Sequence, residues 1–268
     1  TILFAEGVTP ESGWYDVNKV GNGQINGDIN MCWAATSSNI IQWWQDRYVA
    51  AGNTLPEGAV TGEGITYQLA LMEMFQKQWD NSKGADATHG VVWYFQGINV
   101  QEIASPGSCA QPLEGNNGGY FASVWDEILP HVYHEYSQGG YDNLISKEYN
   151  NYTNWYIDLT NAERYARFSD FVKTFMERGM CSLGVSTSAT LASSHHSTTL
   201  WGCEYDNATG IVTKIWITDS DDLTSEPKPA VLHECTVSIY EPTGKIKLEG
   251  AAQTYYATGL YPVSGYKK

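Results

Sequence analysis

The stretch INMCWAATSSNIIQWWQDRY (residues 29–48) places a lone cysteine directly before a predicted helix. Apolar residues recur at helical spacing from Cys32 to about Ala51, whereas the preceding GNGQINGDIN (residues 21–30) is a Gly- and Asn-rich loop. A thiol in the first turn of a helix meets the positive end of the helix dipole, which lowers the thiol pKa. Free cysteines are also among the most frequently buried residue types. Cys32 is therefore either a nucleophile or a small core residue.

Helices dominate the first part of the chain. Helical periodicity predicts further helices over 65–79, over 120–136 and, after Asn161 as N-cap, up to about Gly179. Pro130 is expected to break or kink the second of these helices. Two Gly-, Ser- and Asn-rich stretches are predicted to be long loops, at 79–90 and 104–119.

Strands dominate the second part. From Cys181 onward, short β-branched segments separated by turn residues predict strands over 181–188, 198–206, 212–221, 230–240, 245–251 and 254–263. Helices followed by strands indicate an α+β fold with an antiparallel sheet. We expect one compact domain over residues 1–268, helix-rich at about 32–180 and strand-rich at about 181–268.

Composition narrows the class of partner. The formal net charge of −15 argues against nucleic acid and against an anionic membrane surface. No stretch approaches the ~20 apolar residues that a membrane span requires. The five cysteines are odd in number and contain no CxxC pair, which makes a poor disulfide framework and a poor zinc-ligand pattern. The opening TILFAEGVTP lacks a signal-peptide pattern, so we expect any signal peptide to have been removed already.

A cysteine nucleophile needs a base, and the base needs an orienting partner. His195 and His196 lie in SSHHSTTLWG at the start of the strand region, and Asp219 and Asp221 lie in ITDSDD at the end of the next predicted strand. Neighbouring antiparallel strands would bring imidazole and carboxylate within hydrogen-bond distance. Asp219 and Asp221 are separated by one residue, so both can point the same way from an extended backbone. A cysteine on an early helix, then histidine and aspartate on late strands, is typical of papain-like cysteine proteases.

The remaining histidines are weaker candidates for a base. His131 and His134 are three residues apart on a predicted helix, which favours a structural or surface role, and His89 lies in a Gly-rich predicted loop. The run DSDD (residues 219–222) is also compatible with a solvated turn or a calcium loop, although the EF-hand spacing is absent.

Several motifs together resemble the streptococcal immunoglobulin-degrading cysteine endopeptidases, the IdeS or Mac family. They are GVTP, GWYD, CWAAT, the WW of the first helix, GGYF, and LWG followed by VTKIWITDSD, and they run from Gly7 to nearly the end of the chain. The resemblance implies a papain-like fold with the helical lobe first, secretion, no metal and no organic cofactor. It also implies a protein substrate, an immunoglobulin heavy chain cut near its hinge, with IgG as the first expectation.

The same resemblance assigns roles residue by residue. Cys32 matches the nucleophile and His196, four residues before Leu200, matches the base. Asp219 matches the carboxylate that orients the imidazole, and Asp221 matches a second supporting acid. Lys19 matches the lysine of the oxyanion site. Adjacent residues on a strand point to opposite faces, so only one of the two neighbouring histidines can face the thiol, and we predict His196 rather than His195.

Alternatives remain open from the sequence. Lys19 lies in a Gly- and Asn-rich region and could be a solvated charge, in which case Asn26 or Gln24 would be the next candidates for the oxyanion donor. Ten Trp and eighteen Tyr could line a carbohydrate- or protein-binding face around a structural Cys32. The same thioester chemistry also serves a cysteine amidase or a transamidase.

Overall fold

The computed structural model describes eight stretches of the chain, which are residues 1–19, 27–62, 69–100, 107–133, 144–145, 159–190, 196–222 and 230–268. Within them the α-helices are α1 (Cys32–Ala50), α2 (Ala70–Gln78), α3 (Ala87–Gln96), α4 (Trp125–Ile128) and α5 (Asn161–Arg178). The strands are β1 (Ile2–Phe4), β2 (Gly179–Ser186), β3 (His196–Tyr205), β4 (Val212–Thr218), β5 (His233–Tyr240), β6 (Lys245–Glu249) and β7 (Tyr255–Ser264). Helices precede most of the strands, so the predicted α+β class is confirmed.

Helix α1 is the central helix of the fold. Its predicted bounds are confirmed to within one residue, and most of its side chains are buried around the whole circumference. A helix that is buried on every face lies inside the protein rather than on its surface. It contacts the helices α2 and α3 and the strands β2 and β3, and its first residue, Cys32, lies where the helices meet the sheet.

Helix α3 falls partly in the predicted loop 79–90, and that part of the loop prediction is wrong. Asp86 caps the helix by accepting a hydrogen bond from the Thr88 N–H, and Gly97 ends it in the left-handed conformation with φ 75°. His89 is therefore a buried helical residue. Asp86 and Gly97 are recognisable helix-end residues in the sequence, but the apolar run between them is too short to show a clear helical periodicity.

Two other helix predictions need correction at their ends. The backbone of Leu69 is extended, so α2 begins at Ala70 rather than at 65, and residues 65–68 lie outside the described part of the chain. The N-cap of α5 is Thr160 rather than Asn161, because the Thr160 side chain and Glu163 form a reciprocal capping box.

The helix predicted over 120–136 is broken into short pieces. A 3₁₀ turn at Ala122–Val124 leads into α4, and a second 3₁₀ turn at Leu129–His131 follows. Pro130 lies in this last turn, and Val132 is already extended and bridges to Tyr266. The expected break at Pro130 is therefore confirmed. The prediction that the helix continues beyond it is wrong for residues 132 and 133, and residues 134–136 lie outside the described part of the chain.

All seven strands pair antiparallel, in the order β1-β3-β2-β7-β6-β5-β4. An additional pairing of β3 with β4 closes six of them into a ring, and β1 lies beside the second half of β3. Strand β1 was not predicted, because three residues are too few to show alternation. The pairing of β3 with β4 places the beginning of β3 next to the end of β4, with Thr199 opposite Thr218.

Aromatic side chains make up a large part of the core. Every tryptophan in the described ranges is buried, and only Trp155 lies outside them. One aromatic cluster joins the start of α1 to the helices beside it, through Trp33, Phe75, Trp79 and Trp93. Among the described helices, none combines the length and the apolar character that crossing a bilayer would need.

Candidate active site

Cys32 lies at a cleft between the helices and the sheet. It is the first residue of α1, is partly exposed, and no side chain caps the helix at Met31. The cleft has a volume of about 290 Å³. Residues 84–87 and Cys109 line it on the helical side, and Ser182, Gly184, His196, Ser197 and Tyr261 line it on the sheet side.

The structure brings His196 and Asp219 together. His196 is the first residue of β3, and Asp219 directly follows the end of β4. Because the two strands are paired neighbours, the His196 Nε2 lies 2.6 Å from Asp219 Oδ1. His195 lies outside the described residues, so the choice between the two adjacent histidines stays a prediction.

Asp219 is a fully buried carboxylate held by several donors. It interacts with the His196 ring and accepts hydrogen bonds from the Tyr255 hydroxyl at 2.6 Å and the Asp221 backbone N–H at 2.9 Å. Burial by itself would raise the pKa of Asp219, but the hydrogen bonds and the charge of His196 lower it below its ordinary value. Tyr255 was missed by the sequence reasoning, since one tyrosine on a strand carries no motif.

Asp221 approaches the other side of the imidazole. Its Oδ2 is 3.5 Å from His196 Nδ1, whereas Asp219 contacts Nε2. The prediction that both carboxylates extend from a strand is wrong: β4 ends at Thr218, and Asp221 lies in a turn in which its own N–H donates to Asp219. The two carboxylates therefore flank the ring rather than lying side by side.

Lys19 belongs to the same cluster. Its ammonium is 2.6 Å from Asp221 Oδ1 and donates to the Ile29 carbonyl at 3.1 Å, and its backbone N–H donates to the Ser220 carbonyl. The side chain is largely buried, so it is not the solvated loop charge of the alternative interpretation. Asn26 and Gln24, the next candidates for the oxyanion donor, lie outside the described residues.

The thiol of Cys32 and the imidazole of His196 shift each other's proton affinity. Burial raises the thiol pKa, but a hydrogen bond with His196, the positive charges of His196 and Lys19, and the Ser197 backbone N–H lower it below its ordinary value. Burial lowers the pKa of His196, yet hydrogen bonds with Asp219 and Cys32 raise it well above 6.5. The arrangement therefore favours a thiolate–imidazolium pair.

The other cysteines differ from Cys32. All five are free thiols, and Cys181, Cys203 and Cys235 are buried in the sheet, where burial raises their pKa values, to about 12 for Cys203 and Cys235. Cys109 differs from these three, because it is partly exposed and lines the same cleft as Cys32.

Two comparisons with known proteins identify the family of this chain. A family model described as Mac 1 matches residues 4–67 and 132–236, which is more than half of the chain. A protein named IgM protease from Streptococcus suis (strain P1/7) is 31% identical over 225 residues. That alignment covers 78% of this chain but 18% of the relative, so the chain spans less than a fifth of the relative's length. The residues matched by the family model include Lys19, Cys32, His196, Asp219 and Asp221, all of which the structure describes. The chain belongs to the Mac-1 family, the family of the IdeS- or Mac-like proteins.

Proposed function

We propose that this protein is a papain-like cysteine endopeptidase that acts outside the cell and cleaves an immunoglobulin heavy chain near its hinge. The observation that carries this proposal is the thiol of Cys32, at the start of α1, facing the His196–Asp219 pair across an open cleft. A nucleophile, a base and a group that orients the base are the three parts that acyl transfer requires. Family membership and the name of the Streptococcus suis relative support a protein substrate of the immunoglobulin class.

In the proposed mechanism the Cys32 thiolate attacks a peptide carbonyl and His196 protonates the departing amine. Water then hydrolyses the thioester with His196 as general base. Asp219 keeps the Nε2 side of the ring occupied, so that Nδ1 faces the thiol, and it stabilises the imidazolium without taking the proton itself. Tyr255 holds Asp219 in place by donating to its second oxygen.

The tetrahedral intermediate carries a negative oxygen that needs donors. The backbone N–H of Cys32 is in the first turn of α1, where no preceding helical carbonyl can accept it. Lys19 supplies a charge-assisted donor, because its two contacts with described residues, Asp221 and the Ile29 carbonyl, use two of its three N–H groups. Asp221 then has a positioning role between Lys19 and His196.

The aromatic binding module is less well supported than the protease. Its premise was a surface face of tryptophan and tyrosine, but every described tryptophan is buried. Its second premise, a structural Cys32, conflicts with a partly exposed thiol whose pKa is lowered. An amidase or transamidase would use the same residues, and only the substrate distinguishes it.

Incubation of the protein with purified IgG, IgM and IgA tests the proposal. Heavy-chain fragments on a gel, with the new N-terminus sequenced, should appear with the wild type and not with Cys32→Ala. IgG is the expectation from the family resemblance and IgM from the name of the relative. If every immunoglobulin class stays intact while casein is cut, the proposed substrate is wrong and only the protease remains. If no protein is cut while Cys32 is rapidly alkylated, an amidase or transamidase replaces the protease.

A further inference from the structure

We propose that Tyr261 determines substrate specificity: its ring lies over a glycine of the sheet and closes one end of a pocket for a compact, uncharged substrate side chain. This inference rests on the proposed function, because it concerns the substrate of the Cys32 nucleophile. The side chain belongs to the acyl part of the substrate, the part that stays bonded to Cys32 in the thioester.

A row of residues without large side chains crosses the sheet beside the nucleophile. Ser197 on β3 lies opposite Gly184 on β2, and Gly184 lies opposite Gly259 on β7. Residues directly opposite each other on antiparallel strands project from the same face. Neighbouring strands are about 4.8 Å apart, so the row extends about 10 Å from the strand that begins with His196. We call Gly184 and Gly259 the glycine floor.

The ring of Tyr261 covers one end of the glycine floor. Tyr261 follows Gly259 by two residues on β7, so both project from the same face. A Cβ atom placed on Gly259 would lie 2.6 Å from Tyr261 Cε2 and from its hydroxyl oxygen, and 2.7 Å from Cζ. The ring therefore fills the space that an alanine side chain would need.

The same ring is a wall of the cleft. Tyr261 is half-buried and lines the cleft together with Cys32 and Gly184, whereas Gly259 is buried beneath the ring. The glycine floor is thus open at Gly184 and closed at Gly259. The position of the Tyr261 ring sets how far a substrate side chain can extend along it.

The rest of the pocket is small and largely uncharged. On the sheet side, the hydroxyls of Ser182 and Ser197 are hydrogen-bonded to each other at 2.8 Å. On the helical side, the Asp86 carboxylate is engaged as the helix cap, because its Oδ1 accepts from the Thr88 N–H and hydroxyl. The other residues of the 84–87 wall carry at most one side-chain carbon, and they are Gly84, Ala85 and Ala87.

These walls select by size and by charge. The cleft volume of about 290 Å³ is at the lower limit of ligand sites, which span about 300–1,000 Å³. A pocket of this size, lined mostly by small uncharged residues, accepts an aliphatic side chain and excludes a large aromatic ring. A charged side chain would lose its hydration there without gaining an ion pair.

A purely structural role for the tyrosine makes a different prediction. An aromatic ring over a glycine is also a device that stabilises strands. Tyr256, on the same strand, shows such internal packing, because its ring packs on Tyr240 at 5.5 Å between centroids. Tyr261 differs in lining the cleft of the nucleophile. The structural role predicts a loss of stability in Tyr261→Ala without any change in substrate selection.

The experiment uses two series of dipeptidyl chloromethyl ketones and measures alkylation of Cys32 in the intact chain by peptide mass spectrometry. Each series varies one of the two residues of the probe among Ala, Leu, Trp and Lys. The thiolate displaces chloride, so a C–S bond forms as the C–Cl bond breaks, and no peptide bond has to be cleaved. Every rate is divided by the iodoacetamide rate of the same variant, which removes differences in thiol reactivity.

One series should show the preference of the pocket. The wild type should react with the Leu probe at least about tenfold faster than with the Trp or Lys probe, a discrimination that an apolar pocket provides. Tyr261→Ala removes the wall, so the ratio of the Leu to the Trp rate should fall about tenfold. Tyr256→Ala is the matched control on the same strand and should leave every ratio unchanged.

A second variant moves the same wall in the other direction. Gly259→Ala keeps the ring but places a methyl group beneath it, which pushes the ring away from the sheet and into the pocket. The ratio of the Leu to the Ala rate should therefore fall. This variant retains Tyr261, so it tests the wall even if Tyr261→Ala does not fold.

Three results would overturn the inference. They are the absence of any preference in both series, a preference for the Lys probe, and a ratio of Leu to Trp rates that Tyr261→Ala leaves unchanged. None of them bears on whether Cys32 cleaves an immunoglobulin. Conversely, intact immunoglobulins together with the predicted preference would overturn the proposed substrate and leave the pocket in place.

Discussion

Two histidine–aspartate pairs lie close together in this molecule, and they differ in what surrounds them. His196 and Asp219 are 2.6 Å apart, and His233 and Asp222 are 2.7 Å apart. Each histidine is the first residue of a strand, β3 or β5, and each aspartate comes from the segment after β4. By distance and by sequence context the two pairs are nearly equivalent.

The pKa values of the two aspartates are shifted in opposite directions. The side chain of Asp219 is 1% exposed and that of Asp222 is 8% exposed, yet the pKa of Asp219 is lowered and that of Asp222 is raised. Burial raises both values, but Asp219 is also held by the Tyr255 hydroxyl and the Asp221 N–H, whereas the charges of Asp219 and Asp221 oppose ionisation of Asp222. Asp16 lies near the second pair, and burial raises its pKa to about 7.

The difference between the pairs shows that a histidine–carboxylate contact does not by itself make a catalytic site. His196 is shared between Asp219 and the thiol of Cys32 and opens onto the cleft. The pKa of His233 is raised by the carboxylates of Asp222, Asp219 and Asp16, against the lowering effect of burial. The first pair can therefore activate a nucleophile, whereas the second joins the 16–19 segment, the turn after β4 and the start of β5.

The largest expected effect separates the two histidines. His196→Ala should lower turnover of the protein substrate by at least about 10³-fold, since it removes the general acid–base and the partner of the thiolate. His233→Ala should retain most of its turnover per folded molecule. His195→Ala, the neighbour on the chain, should also retain most of it. Equal losses in His196→Ala and His233→Ala would remove the distinction between the pairs.

The next effect concerns Lys19, which has no counterpart beside the second pair among the residues that the structure describes. Lys19→Ala should lower kcat by on the order of 10²–10³, the typical effect of losing one oxyanion donor. Cys32 should remain alkylatable and the protein should remain folded. Lys214, which forms ion pairs with Glu204 and Glu234 in the sheet, supplies the control, and Lys214→Ala should be neutral. Wild-type turnover in Lys19→Ala would exclude the oxyanion role.

Tyr255 tests why Asp219 stays ionised. Tyr255→Phe removes one donor, so the Asp219 pKa should rise and the acid limb of the kcat/KM profile should move to higher pH. Loss of about 1.5 kcal/mol, the lower value for a hydrogen bond to a charged group, corresponds to about tenfold in rate. The control is Tyr256→Phe, the next residue on β7, whose ring packs on Tyr240. A loss of rate without a shift of the acid limb of the kcat/KM profile would mean that Tyr255 only packs against its neighbours.

The smallest effect is on stability and concerns the second pair. The pKa of His233 is raised, first by its hydrogen bond with Asp222, so protonated His233 stabilises the fold fully below its unfolded pKa of about 6.5. That contribution is lost as pH rises through the raised folded value. His233→Gln should therefore lower the unfolding free energy by about 1–3 kcal/mol at pH 5.5 and by less at higher pH. Urea titrations at several pH values would measure it, and a cost that grows with pH would contradict this sign.

Much of this architecture follows from the sequence, because its signals are local. Helix α1, the order of helices before strands, and the cysteine–histidine–aspartate arrangement depend on periodicity, turn residues and spacing. The resemblance placed Cys32, His196, Asp219, Asp221 and Lys19 in one site, and the structure brings all five together.

What the sequence could not give depends on contacts between distant parts of the chain. The turn that places Asp221 on the far side of the imidazole is closed by a hydrogen bond from the Asp221 backbone N–H to the Asp219 carboxylate. Tyr255 reaches Asp219 only because β7 lies within the closed ring of strands. Cys109 enters the cleft because its loop pairs with the segment before α3, where the Ala110 N–H donates to the Gly84 carbonyl. No local pattern specifies any of these contacts.

The most direct test is the rate of iodoacetamide alkylation of Cys32 as a function of pH, in the wild type and in His196→Ala. If Cys32 is a thiolate paired with His196, the wild type should react at pH 6 more than tenfold faster than the variant, and its rate midpoint should lie well below the ordinary thiol value of about 8.5. In the variant the midpoint should move upward. Superimposable profiles, or a wild-type midpoint at or above that ordinary value, would contradict the claim that this site holds an activated nucleophile.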